Sequence, residues 1–527
     1  MYEVHGGLIH SLKREGRSAL AGAIAVGVGF GVSELYSGVI TGGPSLIVAV
    51  GNAVIDLAPE WVKDFVIAVF GTHDKLVLAI AIVVLGVGVG VLLGVGARRR
   101  SWVGPVGFLM FGFLAVAAGI ADDQISSISS ILGGAVAVVA GIWALVVLRH
   151  FAMQDGAPRP VRDARLGNIG RRSFLRLAGV LATVAVGTAV GGRILIERAR
   201  TIAASRDDVV LPHPSEPAVS LPVGSTLHVD GISPLITPNQ DFYRIDTAFA
   251  IPRIDLQTWT LKVEGLVDRP FEISYTDLLD MPQVERYITL CCVSNEVGGD
   301  LVGNARWQGV RLTDLLDLAG VQPTATQVVG LSVDGFTAGF PLALAYDTRE
   351  ALVALGMNGV PLPMDHGFPA RLVISGLYGY VSATKWLDAI ILNRLEDFDA
   401  YWIPRGWAKK APIKTQSRID VPKLGKILVA GEHMVAGVAW AQPHGVTKVE
   451  VQIDSMDWRE ANLAEEITGN TWRQWVLPWN AVPGSHVLRV RATDATGQTQ
   501  THEDQSPDPD GATGYHTVVV DVIERST

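Results

Sequence analysis

The stretch ITLCCVSNEVGGDLVGNARWQG, Ile288–Gly309, decides how this chain is read. Its adjacent Cys291 and Cys292 are the only cysteines among 527 residues. Three readings stand side by side. Buried thiols often act as small hydrophobes. A disulfide between neighbouring residues is a strained ring that staples nothing. The third reading makes one thiolate a nucleophile or a metal ligand. The choice depends on the compartment that this segment occupies and on what surrounds it.

A chain of this length holds several domains. Its mean hydropathy is +0.31, so membrane spans are expected. The apolar residues concentrate before residue 200; beyond it, tryptophan, proline and mixed charge mark a water-soluble part. The net charge of −9 gives no reason to expect nucleic-acid binding.

Apolar runs occupy Ser18 to Ile40, Leu76 to Ala97, Val103 to Ala121, Ile125 to Leu148 and Phe174 to Gly192. Each is long enough to cross a hydrocarbon core of about 30 Å. We expect a transmembrane region over residues 1–196. Within it, 44–70 is interrupted by Asn52, Asp56, Pro59, Glu60, Lys63 and Asp64 and reads as a re-entrant or interfacial segment. Lys13, Arg14 and Arg17 precede the first run, Arg98 to Arg100 follow the second, and Arg149 and the arginines from Arg159 to Arg172 precede the last. The positive-inside rule puts these clusters in the cytoplasm and everything after residue 200 outside. The last run begins GRRSFLR, residues 170–176, which resembles a twin-arginine export signal. The plainer reading is that these arginines only orient the span. Glu34, near a span end, reads as a carboxylate that snorkels to the interface rather than as a functional group. His73 and His150 lie at span ends, and no Cys-x-x-Cys-His is present. A transmembrane haem pair is therefore not expected, and electrons must leave through a partner.

Residues 197–227 are rich in proline and polar residues and read as a linker. Residues 228–405 mix period-two stretches such as WTLKVEGLV with short amphipathic helices such as LTDLLDLAG, which ends on Gly320 as a C-cap. This is an α+β pattern. Residues 406–527 are strand-dominated. VTKVEVQID, HVLRVRATD and YHTVVVDV, separated by turn signals, suggest a β-sandwich of immunoglobulin type. Leu488, Val490 and Ala492 share one face there, and Arg489 and Arg491 the other.

The exported compartment is oxidising, where disulfides are common. This part avoids them yet keeps two thiols. A soft metal held by one thiolate fits that usage. Zinc does not, because no second ligand lies at the usual spacing. A metal that brings its own organic cofactor needs only one protein ligand.

The segments TLCCVSN, ARWQGVRLTDLL, MNGVPLPMDHGFPARLVISGLYG and TKWL occur in this order. Together they resemble the sulfite oxidase family, with FYRIDTA standing at its Arg-Asn-His segment and DGATGYH in its dimerisation domain. The resemblance runs from about residue 225 to the end. It implies a molybdenum–molybdopterin cofactor, with Cys292 as the metal ligand and the catalytic residue, and Cys291 as its neighbour. It also implies a cofactor pocket built from Arg244, Asp246, Cys292, Asn295, His366, Arg371 and Lys385. Asp246 stands where the family has a histidine. Phe336 replaces the tyrosine beside the metal oxo group, and Glu296 stands where an arginine is usual. These departures disfavour a dianion such as sulfite. Trp307 and Trp386 read as core residues.

The fold expected is thus a helical membrane bundle, an α+β molybdopterin domain and a β-sandwich. The function expected is that of a membrane-anchored, outward-facing molybdenum oxidoreductase that moves an oxygen atom to or from a small substrate. Its expected partners are a membrane or extracytoplasmic electron carrier and a second copy bound through the C-terminal domain. The alternatives are a sulfoxide or N-oxide reductase on the same domain, as in the periplasmic methionine sulfoxide reductase, and a non-catalytic scaffold on a degenerate fold.

Overall fold

A computed structural model describes the chain except for residues 1, 41–44, 60–61, 63–64, 67–68, 71–73, 121–126, 154–166, 204, 248–249, 253 and 525–527. The chain forms two compact units. One is Met1–Ala204 with Thr247–Arg253, and the other is Ser205–Asp246 with Ile254–Thr527.

The first unit is helical. Its principal helices are α1 (Tyr2–Val39), α2 (Leu46–Leu57), α3 (Asp74–Arg99), α4 (Val103–Ile120), α5 (Ser127–Met153) and α6 (Gly167–Ala203). Among the described residues, five stretches are long and apolar enough to cross a membrane: Glu15–Val39, Lys75–Arg99, Val103–Ile120, Ile128–Ala152 and Arg172–Ile196. They coincide with the five apolar runs. Helix α1 is central and packs on α3, α5 and α6. Small residues allow this approach. A Cβ on Gly22 would lie 1.8 Å from the carbonyl oxygen of Gly90, and one on Gly192 would lie 2.4 Å from that of Glu34. Ser18 and Gly22 face Gly94 and Gly90, so α1 and α3 are antiparallel. Gly31 and Gly38 face Ala185 and Gly192, so α1 and α6 are parallel. Arg98 lies 3.6 Å from Glu15, which places the beginning of the apolar stretch Glu15–Val39 beside the basic end of α3. Helix α2 covers only part of segment 44–70 and is too short to span; several residues beyond it lie outside the described residues.

Glu34 differs from expectation. Rather than snorkelling, it is buried, 2% exposed. Its Oε2 lies 2.9 Å from Arg193 Nε on α6, and Ser45 Oγ donates to its Oε1. The reason is position: Arg193 falls beside it because α1 and α6 run parallel.

The second unit begins with a strap. Arg206 Nε donates to Leu362 O at 2.9 Å, and the amide of Glu285 donates to Glu216 O at 2.9 Å. Further along, the amide of Leu227 donates to Gln474 Oε1 at 2.7 Å, and Trp472 Nε1 donates to Leu235 O at 2.8 Å. The proline-rich stretch therefore lies across the strands that follow it.

Ten strands come next: β1 (Thr260–Gly265), β2 (Phe271–Ser274), β3 (Val284–Cys291), β4 (Val302–Arg311), β5 (Gln327–Ser332), β6 (Thr337–Pro341), β7 (Ala351–Met357), β8 (Val360–Pro361), β9 (Arg371–Ile374) and β10 (Leu387–Asn393). One sheet has the order β2-β1-β10-β5-β6; the other has β3-β4-β7-β8, with β9 paired to β7. Helix α7 (Tyr275–Asp280) starts on a Ser274 capping box. Helix α8 (Leu312–Ala319) ends on Gly320 at φ 68°, the expected C-cap. In β1 the buried residues are Leu261 and Val263, as period two requires.

The tail holds β11 (Gln416–Val421), β12 (Ile427–Val429), β13 (Gly431–Trp440), β14 (Val446–Ile453), β15 (Arg459–Glu460), β16 (Asn462–Leu463), β17 (Arg473–Ala481), β18 (Gly484–Asp494) and β19 (His516–Ile523). They form two sheets, β11-β13-β17-β16 and β12-β19-β18-β14-β15. Val435, Trp475 and Leu477 of the first share one core with Val449, Val490 and Val520 of the second. Leu488, Val490 and Ala492 are fully buried, as their alternation predicts.

Candidate functional site

Strand β3 carries the thiols to the edge of a closed loop. Cys291 ends the strand and Cys292 follows it. The amide of Cys292 donates to Leu301 O at 2.9 Å, which closes residues 292–301 into a loop. Asn295 braces the interior: its amide donates to Cys292 O at 3.1 Å and its Oδ1 accepts from the amide of Leu301 at 2.8 Å. Its Nδ2 is buried and has no hydrogen-bond partner among the described residues. Both cysteines are buried and free, so the disulfide reading is absent here. Cys291 Sγ donates to Cys292 O at 3.4 Å. Burial pushes both thiols above their ordinary pKa, although hydrogen bonds from Ser294 and Val293 oppose this at Cys292.

Arg371 and the two thiols all act on the phenol of Tyr243. Arg371, the first residue of β9, is 5% exposed. It donates to His366 O at 3.1 Å and lies 5.0 Å from the centre of the Trp307 ring. Among the described residues no carboxylate pairs with it. Burial lowers its pKa to about 10. His366 is 3% exposed, and its Nε2 donates to Asn239 O at 2.8 Å, which fixes the tautomer. Burial lowers its pKa below the ordinary 6.5. Its ring meets Phe242 edge-on at 5.6 Å.

Lys385 and Arg244 share one carboxylate. Lys385 Nζ lies 2.8 Å from Asp246 Oδ2, and Arg244 Nε lies 3.0 Å from the same atom. Burial pulls Lys385 down to about 8 against the pull of Asp246. Lys385 also donates to Asp365 O at 3.1 Å and lies over Trp386 at 4.6 Å. Gly367, at φ 108°, packs on Lys385, where a Cβ would come within 3.0 Å of the lysine Cβ. The DHGFPAR turn thus joins His366, Arg371 and Lys385.

Tyr243 was not singled out from the sequence. It adjoins Arg244 in the FYRIDTA segment, and the charges of Cys292, Cys291 and Arg371 all act on its phenol. Burial, then the two thiols, raise its pKa. Tyr378 also feels both cysteines, and burial raises it as well. The aromatic residue beside a candidate arginine was the available signal for Tyr243. Trp307 and Trp386 are buried, as expected, and each also lies under a candidate cation. Phe336 has its ring 5.6 Å from that of Tyr401. Glu296 is exposed on the thiol loop.

The site can hold an anion against buried cations next to a soft ligand. Residues 248–402 match the profile of the oxidoreductase molybdopterin binding domain. The chain is 31% identical over 302 residues to mitochondrial sulfite oxidase of Homo sapiens, which covers 48% of this chain and 55% of that protein. It is 34% identical over 179 residues to the uncharacterized oxidoreductase YuiH of Bacillus subtilis, covering 33% of this chain and 85% of that one. Among solved structures, the sulfane dehydrogenase SoxCD of Paracoccus pantotrophus has a TM-score of 0.48 at 23% identity, over 56% of this chain and 85% of that one. The chain spans about half the length of the mammalian sulfite oxidases it matches. The chain belongs to the sulfite oxidase family of molybdopterin-binding oxidoreductases.

Proposed function

We propose that this chain is a membrane-anchored, outward-facing molybdenum oxidoreductase that transfers an oxygen atom to or from a small neutral or zwitterionic substrate. The observation that carries it is the buried guanidinium of Arg371, with no carboxylate partner among the described residues, whose charge acts on the same Tyr243 phenol as the two buried thiols. The residues present fit the cofactor. Arg371 keeps donors for an anion such as a phosphate, and Asn295 Nδ2 is a buried donor without an acceptor. Cys292 offers a soft ligand, and its proton leaves when metal binds. In this reading Cys292 is the metal ligand and catalytic residue, and Arg244, Asn295, His366, Arg371 and Lys385 hold the pterin. Asp246 orients Arg244 and Lys385 and tempers their charge. The metal supplies the two-electron change and the exchange of oxygen. The protein binds, orients and excludes water.

Glu296 on the loop and Phe336 in place of a tyrosine disfavour a dianionic substrate. The competing reading is reduction of a sulfoxide or N-oxide at the same centre; the direction depends on the electron carrier, in the membrane or outside it. The scaffold alternative is set aside, since the chain is an oxidoreductase.

The antiparallel and parallel pairings of the helices support spans whose basic ends lie on one side, with segment 44–70 as a hairpin that does not cross. The side chain of Arg171 lies outside the described residues, so GRRSFLR remains an export reading from sequence. The domain scheme of 1–196, 197–227, 228–405 and 406–527, with an immunoglobulin-like dimerisation tail, belongs to the same proposal. The test is molybdenum and pterin analysis of the purified protein, followed by steady-state rates with sulfite and with neutral sulfoxides. Stoichiometric metal and faster turnover of the sulfoxides are expected. Efficient sulfite oxidation would overturn the substrate assignment.

A further inference from the structure

The tail sheets, expected to mediate dimerisation, also grip the thiol loop from both sides. Upstream of the cysteines, Thr289 is fully buried on β3. Its amide donates to Asn470 O at 3.0 Å, its Oγ1 accepts from the amide of Trp472 at 2.8 Å, and its carbonyl accepts from Gln442 Nε2 at 3.1 Å. Downstream, Arg418 of β11 donates through Nη1 to Gly299 O at 2.6 Å. Its other donors are fixed by Ser233 Oγ at 2.8 Å and Asp420 Oδ1 at 2.7 Å, so the fork is rigidly aimed. Next to it, His516 of β19 packs on Gly298, where an added Cβ would lie 2.1 Å from the ring. His516 Nδ1 accepts from the amide of Ile419 at 2.9 Å, which keeps the ring in place.

The path from Arg418 to the thiol is short. Gly299 closes a turn by donating to Glu296 O at 2.8 Å, and the loop then returns to Leu301, whose carbonyl holds the amide of Cys292. We propose that Arg418 is a positioning residue for Cys292, so that the C-terminal sheets set the geometry of the thiol. This rests on Cys292 being the metal ligand. Without Arg418 the Glu296–Gly299 turn loses a charged anchor, and the backbone that presents the thiol gains freedom.

The test uses the full-length chain in detergent, with Arg418→Ala, Arg418→Lys and Cys292→Ser. One preparation comes from a host that makes the cofactor, and its electron paramagnetic resonance is recorded. Another comes from a host that cannot, and the rate of Cys292 alkylation by iodoacetamide is followed by peptide mass spectrometry. Arg418→Ala should raise that rate about tenfold and shift the resonance of the metal while far-ultraviolet circular dichroism stays unchanged. Arg418→Lys should recover part of both. An unchanged rate and an unchanged resonance would overturn the proposal. Cys292→Ser separates the two ideas. If it keeps the thiolate features of the resonance, the ligand assignment fails, and the alkylation rates still judge Arg418. If Arg418→Ala does not fold, Arg418→Lys is read in the same way, with a smaller change expected in both the rate and the resonance.

Discussion

The helical unit and the sheet-built unit bury charge differently. In the helices Glu34 is matched by Arg193 and Ser45. In the sheets Asp246 is matched twice, by Lys385 and Arg244, while Arg371 is matched by no carboxylate among the described residues. Taking a charge out of water costs several kcal/mol unless a partner compensates it. A pair that is complete within the chain is explained by structure alone. A buried cation that meets only carbonyl oxygens and a ring calls for an anion from outside. On the proposed reading, the contrast separates charges that hold the fold from charges that wait for a ligand.

The sharpest test lies at the thiols. Cys292→Ser should abolish activity and the thiolate features of the metal, and Cys291→Ser should leave both largely intact. Equal loss from both substitutions would place the ligand in the wrong register. The next largest effect concerns the two kinds of cation. Arg371→Met should weaken cofactor retention about 10- to 100-fold, the worth of charge-assisted hydrogen bonds. Lys385→Met should cost less, because Asp246 then pairs with Arg244 alone. Molybdenum retained after gel filtration measures both, and equal losses would break the distinction.

In the helices, Glu34→Ala should destabilise the bundle by about 1–2 kcal/mol. This is below the figure for a fully buried pair because Arg193 is 43% exposed. Thermal denaturation in detergent reports it, with metal content unchanged. The smallest effect is a pH dependence. Burial, and then the charge of Arg418, lower His516 to about 4 from an ordinary 6.5. The folded state thus binds fewer protons than the unfolded one between these values. Its stabilisation is complete above about pH 6.5 and is lost as pH falls toward 4. His516→Gln should flatten that part of a melting-temperature profile, and an unchanged slope would assign it to other groups.

Much of this was legible in sequence because it is local. The apolar runs, the Gly320 cap, the alternation of Leu488, Val490 and Ala492, and the joining of His366 to Arg371 each depend on residues a few positions apart. What escaped depends on distant pairs. Arg193 reaches Glu34 only because α1 and α6 pack in parallel. Arg418 lies 119 residues beyond Gly299, and nothing in its own strand points to the thiol loop. Asp246 looked like a weak substitute for a histidine, because Lys385, 139 residues away, is what gives it a role.

The central place of α1 sets an order of assembly. This helix touches α3, α5 and α6, yet it precedes all of them in the chain. Until α6 arrives, the Glu34 carboxylate has Ser45 but lacks its cation, and Gly31 and Gly38 face an open groove. A helical unit missing its last helix therefore carries a buried carboxylate without its cation and an unfilled seam. Completion of the helical unit is thereby tied to the helix that immediately precedes the sheet-built unit in the chain.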